Sequence, residues 1–435
     1  MIVRARQYGN LWSKGIETFN SSTRRILSVQ GPSATSYLQG LVTSDLHKDA
    51  PIPYPRYDNT PDRVIPGSDI AVEFNPNLWS TCFLDNKGRI VTDALIWKQD
   101  DNRYFIDVSS SATDPLLTHL HQYKLPRTKI EITEVTDSVS SHAVYGTLNY
   151  ANPPPPGYWF GVDPRDPSMG LRVLSLDHPP EHLSQMIDET AFPSWNGTYD
   201  ILRKFAGIAE GTELTGLTAL ETNQEWLNAV SFHKGCYLGQ ELTARSQHTG
   251  IIRKRIMPLI LVSDSQQIPK LWHKAHHMQE NPESIPKEQR NDPRLPRLST
   301  PSVSAVLNML AMCSTEGSEI MTEETKNLLS NAEQFVEQIQ QVAVPGKRIK
   351  DKNDDATIGM IVSPPAPGTT VVLAQVRLNR VGFGVGGVPW SVTNKIRIEG
   401  SEETYRYLPY TPLWWPKVNL ETGKELEENP QDDDL

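Results

Sequence analysis

Between Arg25 and Tyr123, short apolar runs and stretches of helical spacing succeed one another as a strand, a helix, a group of strands and a second helix. Arg25–Val29 is a short apolar strand, and Gly31-Pro32-Ser33 opens a helix with Pro32 at its first position. Tyr37, Leu38, Leu41 and Val42 give that helix the three-to-four spacing of one buried face. After a Pro-rich loop, Pro51–Pro66, come strand candidates at Ile70–Phe74, Trp79–Leu84 and Ile90–Trp97, then Tyr104–Val108. Asp85-Asn86-Lys87-Gly88 reads as a hairpin turn, with Gly88 taking positive φ. Asp114 is placed as the cap of a helix to Tyr123, with Pro115 just inside it. Strands that follow one another directly, with helices set apart from them, predict an α+β fold.

Beyond the stiff break Asn152–Gly157, Ser194–Gly207 and Leu217–Val230 read as helices. A second strand-rich piece starts at Ile252–Val262 and resumes at Thr357–Val362, Thr370–Leu378 and Lys395–Glu399. Between its halves, Ser263–Asp355 is dominated at its start by Lys, Glu, Gln, Pro and Asn, and carries a polar amphipathic helix over Thr322–Val342. A strand set split this way marks an insertion into a β-rich domain. The expected division is an N-terminal extension at 1–24, α+β domains at 25–150 and 158–250, and a β-rich domain at 251–262 plus 356–410. The insertion then spans 263–355 and a tail 411–435.

The net charge of −10 argues against nucleic acid, since phosphate binding needs clustered Lys and Arg. Part of the acidity sits in the tail from Glu425 to Asp434, as a solvated end. No apolar run is long enough to span a bilayer. Arg4, Arg6 and Lys14 against the single acid Glu17 make the start basic, as beside a transit peptide. The three cysteines, Cys82, Cys236 and Cys313, lie far apart and form no CxxC pair. That excludes a disulfide framework and a self-contained metal site of local spacing. One cysteine remains available as a nucleophile, or as one ligand of a site that a partner completes.

Cys236 is the candidate. It sits in Phe232-His233-Lys234-Gly235-Cys236-Tyr237-Leu238-Gly239-Gln240-Glu241-Leu242-Thr243-Ala244-Arg245, where two glycines bracket it at a change of chain direction and Gln240 begins a helix. A cysteine just before a helix N-terminus, with His233, Lys234 and Arg245 nearby, is in a setting that favours the thiolate. A thiolate binds iron or attacks an electrophile, and the residues allow either. They also allow a small packing residue in a turn that the glycines make tight.

The run KGCYLGQELTAR resembles the signature of the YgfZ-type cluster-assembly proteins, relatives of the glycine-cleavage T-protein (aminomethyltransferase). Ile26–Asp45, Phe83–Trp97, Leu116–Ile132, Val162–Leu174 and the run from Tyr199 through GIAEG and LTALETN to Pro258 follow the same family in order. The resemblance implies a three-domain ring as in the folate-binding T-proteins, ending in a small β-barrel. It implies that Cys236, within Lys234, Gly235, Tyr237, Gly239, Gln240, Glu241 and Arg245, lends a thiolate to an iron–sulfur cluster shared with a partner. A-type scaffold proteins are the implied partners, and 4Fe–4S enzymes such as aconitase and lipoate synthase the clients. The mitochondrial matrix is the implied site of action. Glu221 matches the glutamate that holds a pterin in the folate enzymes, and Asp93 falls near their catalytic aspartate. Each also reads as an ordinary residue, Glu221 as an ion-paired helix residue and Asp93 as a strand-end turn. Thr92 stands where the aminomethyltransferases carry a second acid, so no aminomethyl transfer is expected and no permanently bound cofactor. Tetrahydrofolate binding and one-carbon transfer form the competing reading.

Overall fold

A computed structural model describes residues 15–51, 75–145, 157–176, 198–264, 297–298, 300–312, 323–381 and 395–416. The basic start, the strand expected at Ile70–Phe74, Cys313 and the acidic tail lie outside them. Two compact units divide at Arg245/Ser246.

The first unit begins with β1 (Gly15–Thr18), β2 (Arg24–Gln30) and α1 (Ala34–Gln39). It continues with β3 (Leu78–Leu84), β4 (Ile90–Asp100), β5 (Arg103–Ser109), α2 (Ser110–Tyr123) and β6 (Glu131–Glu134). Strands β7 (Val139–Tyr145), β8 (Tyr158–Val162) and β9 (Leu171–Leu176) follow, then α3 (Thr198–Phe205), and α4 (Gln240–Thr249) runs across the division into the second unit. One antiparallel sheet has the order β3-β4-β5-β2-β6 and the other β1-β7-β9-β8.

Alternation along the strands builds two cores. Leu27, Val29, Ile96, Tyr104, Ile106 and Val108 face α1, the turn after it and α2, where Leu38, Val42, Leu116 and Leu120 meet them. Their neighbours Ile26, Leu95, Trp97 and Phe105 point the other way, onto Val139 and Leu174 of the second sheet. Each such side chain contributes about 1.5–3 kcal/mol when buried. β3 is buried at every position, its polar Ser80 and Thr81 included, as in a sheet covered on both faces.

In the second unit, β10 (Lys254–Ser263) is followed by β11 (Arg297–Leu298), α5 (Thr300–Met312) and α6 (Glu323–Val342). Then come β12 (Arg348–Asp351), β13 (Thr357–Ser363), β14 (Val371–Arg377), β15 (Lys395–Ile398), β16 (Tyr405–Pro409) and β17 (Thr411–Pro412). Six of these close into a barrel in the order β10-β14-β13-β12-β15-β16.

Several boundaries differ from the expected ones. β1, assigned to the extension, pairs with β7 over Gly15–Thr18. β12, assigned to the insertion, is a barrel strand bonded to both β13 and β15. β17, assigned to the tail, pairs with β11, and Trp414 and Trp415 beyond it are buried. Helix α1 starts at Ala34, so Pro32 lies in the turn before it. Helix α2 starts at Ser110, so Asp114 is not its cap and Pro115 lies inside it. Leu217–Val230 forms a succession of turns and no α-helix. Asn223 (φ 64°) and Asn228 (φ 58°) interrupt it in the left-handed region, which Asn tolerates better than most residues.

Candidate functional site

The segment Ser231–Gly239 lies along the end of α1. The Ser231 N–H donates to the Thr43 carbonyl at 2.9 Å, and the Leu238 N–H to that of Gly40 at 2.9 Å. Between these ties the Lys234 ammonium donates to the carbonyls of Gln39 (2.8 Å), Val42 (2.6 Å) and Ser44 (2.8 Å). Its Nζ also stands 4.9 Å from the centre of the Tyr237 ring. Gln240 reaches back, its side-chain oxygen accepting the Tyr237 N–H at 2.9 Å just ahead of α4. Glu241 and Arg245 are exposed on that helix, and His233 is exposed in the loop.

Gly239 closes the segment against the β3–β4 hairpin. Its φ is +77°, and a Cβ there would fall 2.4 Å from the Asp85 carbonyl oxygen. Gly88 (φ +77°) faces it, and a Cβ on Gly88 would fall 2.7 Å from the Gly239 carbonyl oxygen. Two sequence stretches singled out separately thus meet glycine to glycine. Gly235 differs: a Cβ there meets nothing within 4 Å.

This frame leaves Cys236 exposed. Cys82 is the opposite case, fully buried with its thiol donating to Gln224 Oε1 at 3.4 Å. Burial, reinforced by the charge of Asp93, holds the Cys82 thiol well above the usual range. The three donors of Lys234 are taken by carbonyls, so none is left to hydrogen-bond the Cys236 sulfur.

Asp93 lies in β4, buried, and Oδ1 accepts the Gly211 N–H at 2.7 Å. Thr92 is buried beside it with its hydroxyl turned to the Asp93 carbonyl at 2.9 Å. The acid that Asp93 does face is Glu210, from the GIAEG stretch. Burial, then the charge of Glu210, pushes Asp93 up to about 6, against the pull of Arg165, the Gly211 N–H and Arg24. Burial would raise Glu210 as well, but Arg165, Arg24 and Arg203 outweigh it and hold Glu210 well below the usual carboxylate range.

Around Glu210 the ionic network is dense. Arg24 binds it at 2.9 Å and Asp107 at 2.5 Å, and Arg165 bridges Glu210 and Asp163. Tyr199 donates to the same Glu210 oxygen, and Arg203 pairs with Glu213 at 2.8 Å. Glu210, Arg24 and Arg165 were not singled out from sequence; Glu210 and Arg165 lie in segments of family likeness, whereas Arg24 falls in the stretch assigned to the N-terminal extension. Glu221 is half-buried, with its N–H turned to Thr218 Oγ1 at 3.4 Å.

Among the described residues no group of three or more His, Cys, Asp or Glu is placed to hold a metal ion. Nor is any described helix long and apolar enough to cross a membrane.

No family model matches the chain. Similar curated proteins are named mitochondrial iron–sulfur cluster assembly factor IBA57 homologues. That of Pyricularia oryzae is 31% identical, over 61% of this chain and 62% of its own. That of Mycosarcoma maydis is 33% identical over 54% and 55%, and that of Dictyostelium discoideum 30% over 55% and 61%. The chain therefore matches about three-fifths of the length of these relatives. In structure it is similar to the glycine-cleavage aminomethyltransferase T of Bartonella henselae, with a TM-score of 0.53 over 98% of this chain and 91% of that one. At 11% identity this likeness establishes the α+β fold with its closed C-terminal barrel, and nothing of the chemistry.

Proposed function

We propose, from its place in the IBA57-type, aminomethyltransferase-like family, that this chain is a mitochondrial iron–sulfur cluster assembly factor and that Cys236 is its working residue. The observation that carries the reading is the contrast between its two described cysteines. Cys236 is exposed on a loop tied down on both sides, whereas Cys82 is sealed in the core. Among the described residues Cys236 is the accessible cysteine and belongs to no group of three or more metal-ligating side chains, which suits a cluster whose other ligands come from another protein. The partner is an A-type scaffold protein, the clients are 4Fe–4S enzymes such as aconitase and lipoate synthase, and the compartment is the matrix. The cluster is cargo and passes through without a resident cofactor.

The test mixes the full chain with a cluster-loaded A-type scaffold and follows the visible absorption and circular dichroism of the mixture. A shared-cluster spectrum is expected with the parent chain and with Cys82→Ala, and its loss with Cys236→Ala. A spectrum that survives Cys236→Ala and disappears with Cys82→Ala removes Cys236 from the role.

One observation favours a second reading, a folate-dependent transferase: Asp93, raised to about 6, has an ionised acid beside it in Glu210. Glu210, however, is committed to Arg24, Arg165 and Tyr199 and is poorly placed to act as a base. Asp93 and Glu221 remain the residues that would meet a pterin. Weak tetrahydrofolate binding and no aminomethyl transfer are proposed, and methylene-tetrahydrofolate formation at the rate of a true aminomethyltransferase would reverse the order of the two readings.

A further inference from the structure

We infer that Lys234 is the positioning residue of the Cys236 loop, its ammonium seated on three carbonyls at the end of α1 so as to fix the segment that presents the thiol. The inference rests on the reading of Cys236 as the working thiol. An ammonium carries three N–H donors, and those of Lys234 meet the Gln39, Val42 and Ser44 carbonyls, at 2.8, 2.6 and 2.8 Å. None is left over for the Cys236 sulfur. The three acceptors are main-chain groups of the turn that leaves α1, so the seat is built from backbone rather than from mobile side chains. Tyr237 covers the cation with its ring, 4.9 Å from Nζ.

The seat is one of two fixings that flank the cysteine. On the far side the Leu238 N–H bonds the Gly40 carbonyl, and Gly239 is pressed onto Asp85 and Gly88. Gly235 and Cys236 bridge the two fixings and stay exposed, with open space beside Gly235. A loop held at both ends with its middle free is preorganised for docking, because a partner does not have to order it on binding. Arginine would not fill the same seat. Its planar fork carries the same charge but cannot converge its donors on three carbonyls around one nitrogen.

That difference gives the experiment. Lys234→Met and Lys234→Arg are prepared in the full chain and compared with the parent by three readouts. The first is amide exchange of the peptide spanning Ser231–Gly239. The second is the pH profile of Cys236 alkylation by iodoacetamide, resolved by peptide mass so that other thiols do not enter. The third is cluster transfer with the loaded scaffold. The expected result is at least tenfold faster exchange in that peptide in both variants, with exchange in β2–β5 unchanged. The alkylation midpoint stays in place, and transfer falls at least tenfold in both. Full recovery by Lys234→Arg, or an alkylation midpoint that rises in Lys234→Met only, would make Lys234 a charge donor to the thiolate and overturn the inference. So would unchanged exchange in Lys234→Met. Exchange and alkylation are read without any cluster, so their outcome is separate from that of Cys236→Ala, which tests the functional reading itself.

Discussion

Asp93 is 7% exposed and, among the described residues, has no cation bonded directly to it, while Glu210 beside it is held ionised by three arginines. Its carboxyl therefore takes up a proton more readily in the folded chain, at about 6 against an ordinary 3.8. For a raised acid the native state binds the proton more tightly than the unfolded chain. The stabilisation is present below the unfolded value and is lost as pH climbs through about 6. At neutral pH the ionised Asp93 then costs up to about 3 kcal/mol. Asp93→Asn keeps an oxygen for the Gly211 N–H without the charge. It is expected to raise unfolding stability at pH 7 by about 1–3 kcal/mol, a gain that vanishes toward pH 4. Denaturant titrations of both proteins at the two pH values measure it, and a gain that does not change with pH would place the strain elsewhere. Asp93 was legible as a candidate because its position in the DNKGRIVTDALIW stretch is family-like. Its partner was not, since Glu210 and Gly211 arrive from a distant stretch and no local pattern links the two acids.

At the scale of elements, the expected strands that fall on described residues lie within three residues of their observed bounds, whereas β1, β6 to β9, β11, β12, β16 and β17 were not read as strands. Alternation such as Tyr104, Ile106, Val108 against Phe105 is set by the pleat and by the two-sided cover of the sheet. Leu217–Val230 misled for a physical reason: Leu217, Leu220, Leu227 and Val230 keep helical spacing, while Asn223 and Asn228 turn the chain. Positive φ at an Asn leaves no trace in hydrophobic periodicity. The start of α2 was missed similarly, because Ser109 and Ser110 open it without an acid or a proline to mark the place. The Cys236 motif was legible as a turn, but the division of labour between its glycines was not. Gly239→Ala forces a positive φ on a residue with a Cβ and drives that Cβ to 2.4 Å from a carbonyl oxygen. It is expected to cost at least about 2 kcal/mol of stability, whereas Gly235→Ala stays within about 0.5 kcal/mol. Thermal unfolding of the pair checks this, and equal losses would mean that Gly235 has an unseen packing role.

For the whole molecule, the insertion is the place where reading a boundary from composition changes the outcome of an experiment. Polar composition put the segment's end at Asp355, yet Arg348–Asp351 supplies one of six strands to a closed barrel. A short strand with the sequence RIKD shows only one apolar residue, Ile349, which is fully buried. Helix α6 is also not free of the barrel. Ile339 is buried, Phe335 stacks near Tyr405, and the Gln340 amide donates to the Ala366 and Thr369 carbonyls. A deletion from Gln266 through Asp351, closed with a Gly/Ser link, removes β12 and leaves the facing edges of β13 and β15 unpaired. Opening a barrel exposes two rows of backbone donors and acceptors, so this variant is expected to lose its cooperative barrel transition. A deletion from Gln266 to Lys326 keeps β12 and the part of α6 that touches the barrel. Shortening a loop changes closure entropy by only about 0.6 kcal/mol per halving, so little is lost on that account. It does remove α5, whose Val303, Val306 and Leu310 are buried, and each such loss costs about 1.5–3 kcal/mol. The shorter deletion should therefore fold with a lowered melting temperature, and amide exchange in β10 and β14 should remain protected there while collapsing in the longer one. Equal protection in both would show that the barrel closes without β12, and the insertion would then extend through Asp351 after all.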